Sequence, residues 1–183
     1  MKTNKAVSAS THPFQRDEPI LIDANIWLYL NPSSGSPSPH WVQKYSSVLS
    51  NMLKCKALIL VDSIILSEYV NRSFRLEFSA AGQHYGDFKS FRKSASGITF
   101  SKTISNACKQ ILKIASPVDT MFSKANHGEV FGEIEGGGAD FNDLILSETC
   151  RENGWKLLTN DADFKKGGIT ILTENPTLLK SCP

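Results

Sequence analysis

The 183-residue sequence holds only four cysteines, Cys55, Cys108, Cys150 and Cys182, and they are far apart. No two form a CxxC pair and none stands beside a histidine cluster, which argues against a zinc module and against a disulfide-dense secreted scaffold. The four histidines (His12, His40, His84 and His127) are equally scattered. No run approaches the roughly 18 apolar residues of a membrane-spanning helix. After Lys2 and Lys5 the N-terminus continues in Ser, Thr, His and Pro rather than an apolar segment, so neither a signal peptide nor a membrane anchor is expected. A soluble, reducing, cytoplasmic setting follows, with the cysteines as small core residues. Residues 136–138 are three consecutive glycines without the Lys-Ser/Thr of a P-loop, and no Ser/His/Asp order can be picked out. Covalent catalysis and phosphate-loop chemistry therefore lose their usual carriers.

Net charge is scarce as well: 20 Lys plus Arg against 18 Asp plus Glu leave +2. The charges are nonetheless segregated. Residues 72–113 carry eight bases (Arg72, Arg75, Lys89, Arg92, Lys93, Lys102, Lys109 and Lys113) against Glu77 and Asp87. Residues 125–150 carry six acids (Glu129, Glu133, Glu135, Asp140, Asp143 and Glu148) and no Lys or Arg. A basic block followed by an acidic one suits a site that holds cations beside a polyanion, although two solvated faces of opposite sign would read the same.

Length and ordinary composition, with 40% hydrophobic residues, indicate one domain at 18–183 behind a flexible tail at 1–17. Residues 19–22, 57–61, 155–158 and 169–172 are short apolar runs without polar alternation, as expected of strands buried on both faces. Helical patterns alternate with them at 24–30, 42–53, 63–78, 98–115 and 140–153. Asp140 stands as an N-cap with Asp143 in the place of a capping-box acid, and Gly154 as the stop. Residues 33–39 read as a Ser-, Pro- and Gly-rich loop, and residues 80–97 as an irregular connection. The alternation predicts an α/β fold with a mostly parallel sheet.

In such a sheet the functional crevice lies beyond the carboxyl ends of the strands. Asp23 follows the first strand, Glu68 lies in the helix after the second, Asp143 opens the helix before the third, and Asp161 follows the third. Gathering four carboxylates is unfavourable unless cations neutralise them, and hard divalent ions with oxygen ligands are the natural partners. A site of that kind hydrolyses phosphodiesters with an activated water. Each acid also has a plain structural role open to it: Asp23 and Asp140 as caps, Glu68 paired with Arg72 four residues on, Asp161 at the start of a turn.

The segments Ile20-Leu21-Ile22-Asp23-Ala24-Asn25-Ile26-Trp27, Ser67-Glu68-Tyr69, Asp140-Phe141-Asn142-Asp143-Leu144-Ile145-Leu146 and Leu157-Leu158-Thr159-Asn160-Asp161-Ala162-Asp163-Phe164 together resemble the PIN-domain nucleases, most closely VapC-like toxin ribonucleases. The resemblance implies a three-layer α/β/α fold, with residues 72–135 as a helical, basic insertion. It implies an acidic site of Asp23, Glu68, Asp143 and Asp161 that binds Mg²⁺ or Mn²⁺ and cleaves RNA. Asp163 competes with Asp161 for the fourth place. Asn25, Thr159, Asp140 and Asp163 would support the carboxylates from behind. Arg72, Arg75, Arg92 and Lys93 are candidate RNA contacts, with Tyr85, Phe88 and Phe91 available either to stack on bases or to form core. Implied partners are RNA, an antitoxin protein and a second copy in a homodimer. A non-catalytic RNA- or protein-binding module and a structure-specific DNA nuclease are the alternatives.

Overall fold

A computed structural model describes residues 1–32, 38–81, 83–137 and 140–183. Parts of the expected loop at 33–39, Gly82 and the last of the three glycines lie outside the described residues. Six strands form one sheet: β1 (Lys5–Ser8), β2 (Pro19–Ile22), β3 (Leu58–Asp62), β4 (Ser116–Val118), β5 (Lys156–Leu158) and β6 (Thr170–Thr173). Their order is β1-β6-β5-β2-β3-β4, and every neighbouring pair is parallel. Helices α1 (Ala24–Leu30), α2 (Pro39–Cys55), α3 (Ser63–Ala81), α4 (Phe88–Lys93), α5 (Ala95–Ile114), α6 (His127–Glu135), α7 (Phe141–Asn153) and α8 (Pro176–Ser181) flank it. This is the three-layer α/β/α arrangement.

The central strands are the ones the apolar runs announced. Ile20, Leu21, Ile22, Ile59, Leu60, Val61, Leu157 and Leu158 are buried, because helices cover both faces of a parallel sheet. Local chemistry sets the helix ends. Asp23 caps α1 by accepting from the Ala24 N–H, Asp62 accepts from the Ile65 N–H, and Gly154 closes α7 at φ 68°, where a side chain would be strained.

The expectation of a flexible tail at 1–17 is overturned. Residues 5–8 form β1, which pairs with β6 from Lys5↔Thr170 to Ser8↔Thr173. Asn4 is buried; it donates to the Phe164 and Lys166 carbonyls and accepts from the Ile169 N–H. Ala9 and Phe14 join the main core. Lys-Ala-Val-Ser is too short and too polar to read as a strand by itself, and the edge it covers supplies the missing stability.

The stretch 72–135 holds α4, α5 and α6, in keeping with a helical insertion, but it also carries β4, which extends the sheet beside β3. The connection expected at 80–97 contains the whole of α4 and the start of α5. Phe74, Phe91, Phe100 and Ile104 make a second small core there, with Phe78, Tyr85 and Phe88 packed against it. Gly97 allows α5 to pass this close to α4: a Cβ would stand 2.1 Å from the Phe91 carbonyl oxygen. None of the helices among the described residues is long and apolar enough to cross a membrane.

Candidate active site

The chain runs from β2 outward through β3 to β4 and then returns to β5 on the other side of β2. The sheet therefore has its switch point between β2 and β5, where open α/β sheets place their ligand crevices. Asp23 immediately follows β2, and Thr159-Asn160-Asp161 immediately follows β5.

Asp23 is only 4% exposed and is held by three donors. The Ala24 N–H donates to Oδ1 at 2.6 Å, while the Thr159 hydroxyl donates to Oδ2 at 2.6 Å, joined there by Asn25 Nδ2. Thr159 Oγ1 also accepts from Asn25 Nδ2 and from the Asp161 N–H, tying the two strand ends together. Asn25 Oδ1 accepts from the Asn160 N–H. The side chain of Asn160 is fixed in turn by the Tyr45 hydroxyl and donates to the Tyr29 hydroxyl, and both rings stack between α1 and α2. Asn160 has no role in the sequence reading; its signal is its place between Thr159 and Asp161.

Five carboxylates lie near enough at this edge to act on one another electrostatically. Asp23 lies within the field of Glu68 and Asp161, and Asp143 within that of Asp23, Asp161, Asp140 and Glu68. Burial, with the Glu68 and Asp161 charges adding to it, pushes Asp23 up to about 7 against the opposing pull of the Thr159 and Ala24 hydrogen bonds. Burial and the four surrounding carboxylates push Asp143 up to about 8. Both acids therefore sit where a proton and a cation compete for them.

Glu68 makes the ion pair its spacing allowed: Arg72 Nη1 stands 3.0 Å from Oε1. Asp140 caps α7 by accepting from the Asn142 N–H. Asp161 Oδ1 accepts from the Asp163 N–H, so Asp161 joins the carboxylate group and also shapes the turn that carries Asp163. Asp163 faces Asp143 and Ser147 across a small cavity of about 110 Å³. The rest of the basic set lies elsewhere. Arg75 stands over the Phe88 ring, Arg92 over the Phe74 and Phe88 rings, and Lys93 lines a shallow depression on α4 with Phe88, Lys89 and Arg92. Phe91 is fully buried and Tyr85 packs against it, so these two rings are core.

Among the described residues no three carboxylate, His or Cys side chains converge on one point. The donors at the edge are all oxygen, carry excess negative charge, and are spread around an opening. That set fits a hard divalent ion held by one or two carboxylates that keeps much of its water, and it does not fit an all-protein cage. Asp23 and Asp143, the two acids raised by burial and by their neighbours, would be the ones to hold it.

The family model of the PIN domain matches residues 20–169. Among solved structures, the chain is similar to VapBC2 from Rickettsia felis bound to a DNA fragment from their promoter, at 16% identity and a TM-score of 0.54, covering 84% of this chain and 97% of that one. It also matches PAE2754 from Pyrobaculum aerophilum at 16% identity and a TM-score of 0.46, over 89% of this chain and 95% of that one. No curated protein matches.

Proposed function

The chain belongs to the PIN domain family, whose model spans residues 20–169, and from that premise we propose that it is a metal-dependent endoribonuclease. The observation that carries the reading is the carboxylate group at the sheet's switch point, where Asp23 and Asp143 are pushed up to about 7 and about 8 by burial and by their neighbours' charges. Repulsion of that kind within a hydrogen-bonded frame is relieved by a divalent cation, Mg²⁺ or Mn²⁺. When bound, such an ion lowers the pKa of water and offsets charge on the leaving oxygen of a phosphodiester.

The chain's own side chains do the rest. Thr159, Asn25 and the Ala24 N–H fix both oxygens of Asp23, so this carboxylate does not swing when substrate enters. Asp143 would hold the ion together with Asp23, and Asp161 lies close enough for its carboxylate to act on both. Arg72, held on Glu68 and 48% exposed, stands beside the carboxylate group and receives a phosphate of the strand. Arg75, Arg92 and Lys93 form a second basic surface on the helical addition, where the strand continues; the Phe74 and Phe88 rings hold the two guanidiniums in place. The likeness to VapBC2 supports a toxin role with an antitoxin partner, and a second copy as a further partner.

The test is cleavage of a mixed-sequence single-stranded RNA by the purified protein in Mn²⁺, with matched DNA alongside. RNA cut in Mn²⁺ but not in EDTA supports the reading, and loss of cutting in the Asp23→Asn variant ties it to this edge. Intact RNA together with no Mn²⁺ binding by calorimetry would favour a non-catalytic module, the reading to which the Glu68–Arg72 ion pair lends itself. Preferential cutting of branched DNA would favour the DNA nuclease.

A further inference from the structure

Beside the carboxylates, between the first half of α3 and the start of α7, lies an open groove of about 520 Å³ lined by Ser63, Ile64, Ser67, Glu68, Asn71 and Asn142. Ser63, Ser67 and Asn71 recur every fourth residue, which sets them in one row about 12 Å long on α3. The opposite face of that helix buries Ile65 and Tyr69 in the core. A polar row on the outer side of a helix is ordinary in itself. Here Asn142 stands across from it, and Ile64, packed against a small core that includes Val130, Leu144 and Ile145, gives it an apolar floor.

The chemistry of the lining is specific. It contains no Lys or Arg, so it offers little to a phosphate. It offers two amides, each both donor and acceptor, and two hydroxyls. Asn71 Nδ2 donates to Ser67 Oγ at 3.4 Å, and among the described residues its amide oxygen accepts no hydrogen bond from a side chain. Among the described residues the Asn142 side-chain amide makes no hydrogen bond. An apolar floor with amides at the edges suits a planar ring carrying donors and acceptors on its rim, and hydroxyls suit a ribose 2′-OH. Glu68 belongs both to this groove and to the carboxylate group, so a ring seated here lies next to the phosphate being cut.

We propose that the α3/α7 groove is a nucleoside subsite that selects the base adjoining the scissile phosphate, read by the Asn71 and Asn142 amides. The subsite rests on the ribonuclease reading and adds to it a sequence preference at one position.

Binding tests it independently of cleavage. Fluorescein-labelled ribohexamers of each of the four bases are titrated with Ca²⁺ in place of Mg²⁺ to keep the strand intact. The expected result is that one base binds at least tenfold tighter than the weakest, and that Asn71→Ala and Asn142→Ala reduce this preference to within threefold. Mn²⁺ affinity and the melting temperature should stay at wild-type values. Equal binding of all four hexamers by the wild type, or an undiminished preference in both variants, overturns the subsite. A protein that discriminates bases but cuts nothing keeps the subsite and loses the nuclease reading. One that cuts RNA in Mn²⁺ without preference does the reverse.

Discussion

Replacing Asp143 by Asn should produce a protein that is inactive and yet more stable. Among the described residues Asp143 makes no hydrogen bond, so the nearly isosteric amide loses no partner; what it removes is a charge placed among Asp23, Asp161, Asp140 and Glu68. The carboxyl is raised from 3.8 to about 8. At roughly 1.4 kcal/mol per tenfold, the fully ionised form at pH above 8 would cost at most about 6 kcal/mol. Asp143 is partly open to solvent, which screens its neighbours, so a gain of about 2 kcal/mol is expected for the variant at pH 8. The sign follows from linkage. The unfolded carboxyl ionises near 3.8 and the folded one near 8, so between these values the unfolded state holds fewer protons and stability falls as pH rises. Below pH 4 the two proteins should agree. Urea unfolding at pH 4, 6 and 8 in EDTA measures this, and Mn²⁺ should then stabilise the wild type and leave the variant unmoved. A variant that is no more stable at pH 8, or a difference as large at pH 4 as at pH 8, would refute the crowding argument.

Asp23 at about 7 and Asp143 at about 8 must both ionise to hold a cation, so Mn²⁺ affinity should rise steeply from pH 6 to 8.5, by more than tenfold per pH unit at the acid end; calorimetry across that range checks it, and a flat profile would contradict it. Thr159→Val removes the hydroxyl that holds Asp23 and receives the Asp161 N–H, and should lower kcat about 10- to 100-fold, whereas Thr159→Ser, which restores the hydroxyl, recovers most of it. Gly97→Ala sets a methyl group against the Phe91 carbonyl and should separate α4 from α5 at a cost above about 2 kcal/mol, seen as early amide exchange of the helical addition, with Mn²⁺ binding unchanged.

The inner strands and the positions of the acids at their ends were legible in the sequence, and the edge strands were not. Asp23 and Asp161 could be placed because an acid directly after a buried apolar run must emerge at the strand's carboxyl end, and Asn25 and Thr159 lay within reach of them. Glu68 was ambiguous for a sound reason: its spacing to Arg72 suits an ion pair, the pair forms, and the same carboxylate still lies in the field of Asp23. Strand β1 could not be read because a four-residue edge strand with one exposed and three half-buried positions has no hydrophobic signature; its stability comes from β6 and from Asn4. Strand β4, Ser-Pro-Val, was hidden likewise, its proline tolerated because the strand lies at the sheet edge. The aromatics interleaved with the bases at 85–91 looked equally suited to stacking or packing. Only the second small core shows that Phe91 and Tyr85 are spent on packing, while Phe88 also serves as a rest for two arginines.

The edge pairing of β1 with β6 also bears on the order in which the molecule can assemble. Asn4 and Ile169 meet across 165 residues, nearly the longest loop this chain can close. The inner strands β2 and β3 can pair as soon as α1 and α2 have formed between them, but the outer edge must wait until the last strand is in place. A topology of this kind folds slowly, because the entropy of closing the largest loop is lost before any contact repays it. Until then the turn at 163–168, which Asn4 fastens from below through the Phe164 and Lys166 carbonyls, has no anchor on that side. Closure of β1 is thus the late step that locks the segment carrying Asp163, and an intermediate lacking it would hold the inner sheet intact with one wall of the acidic edge still loose.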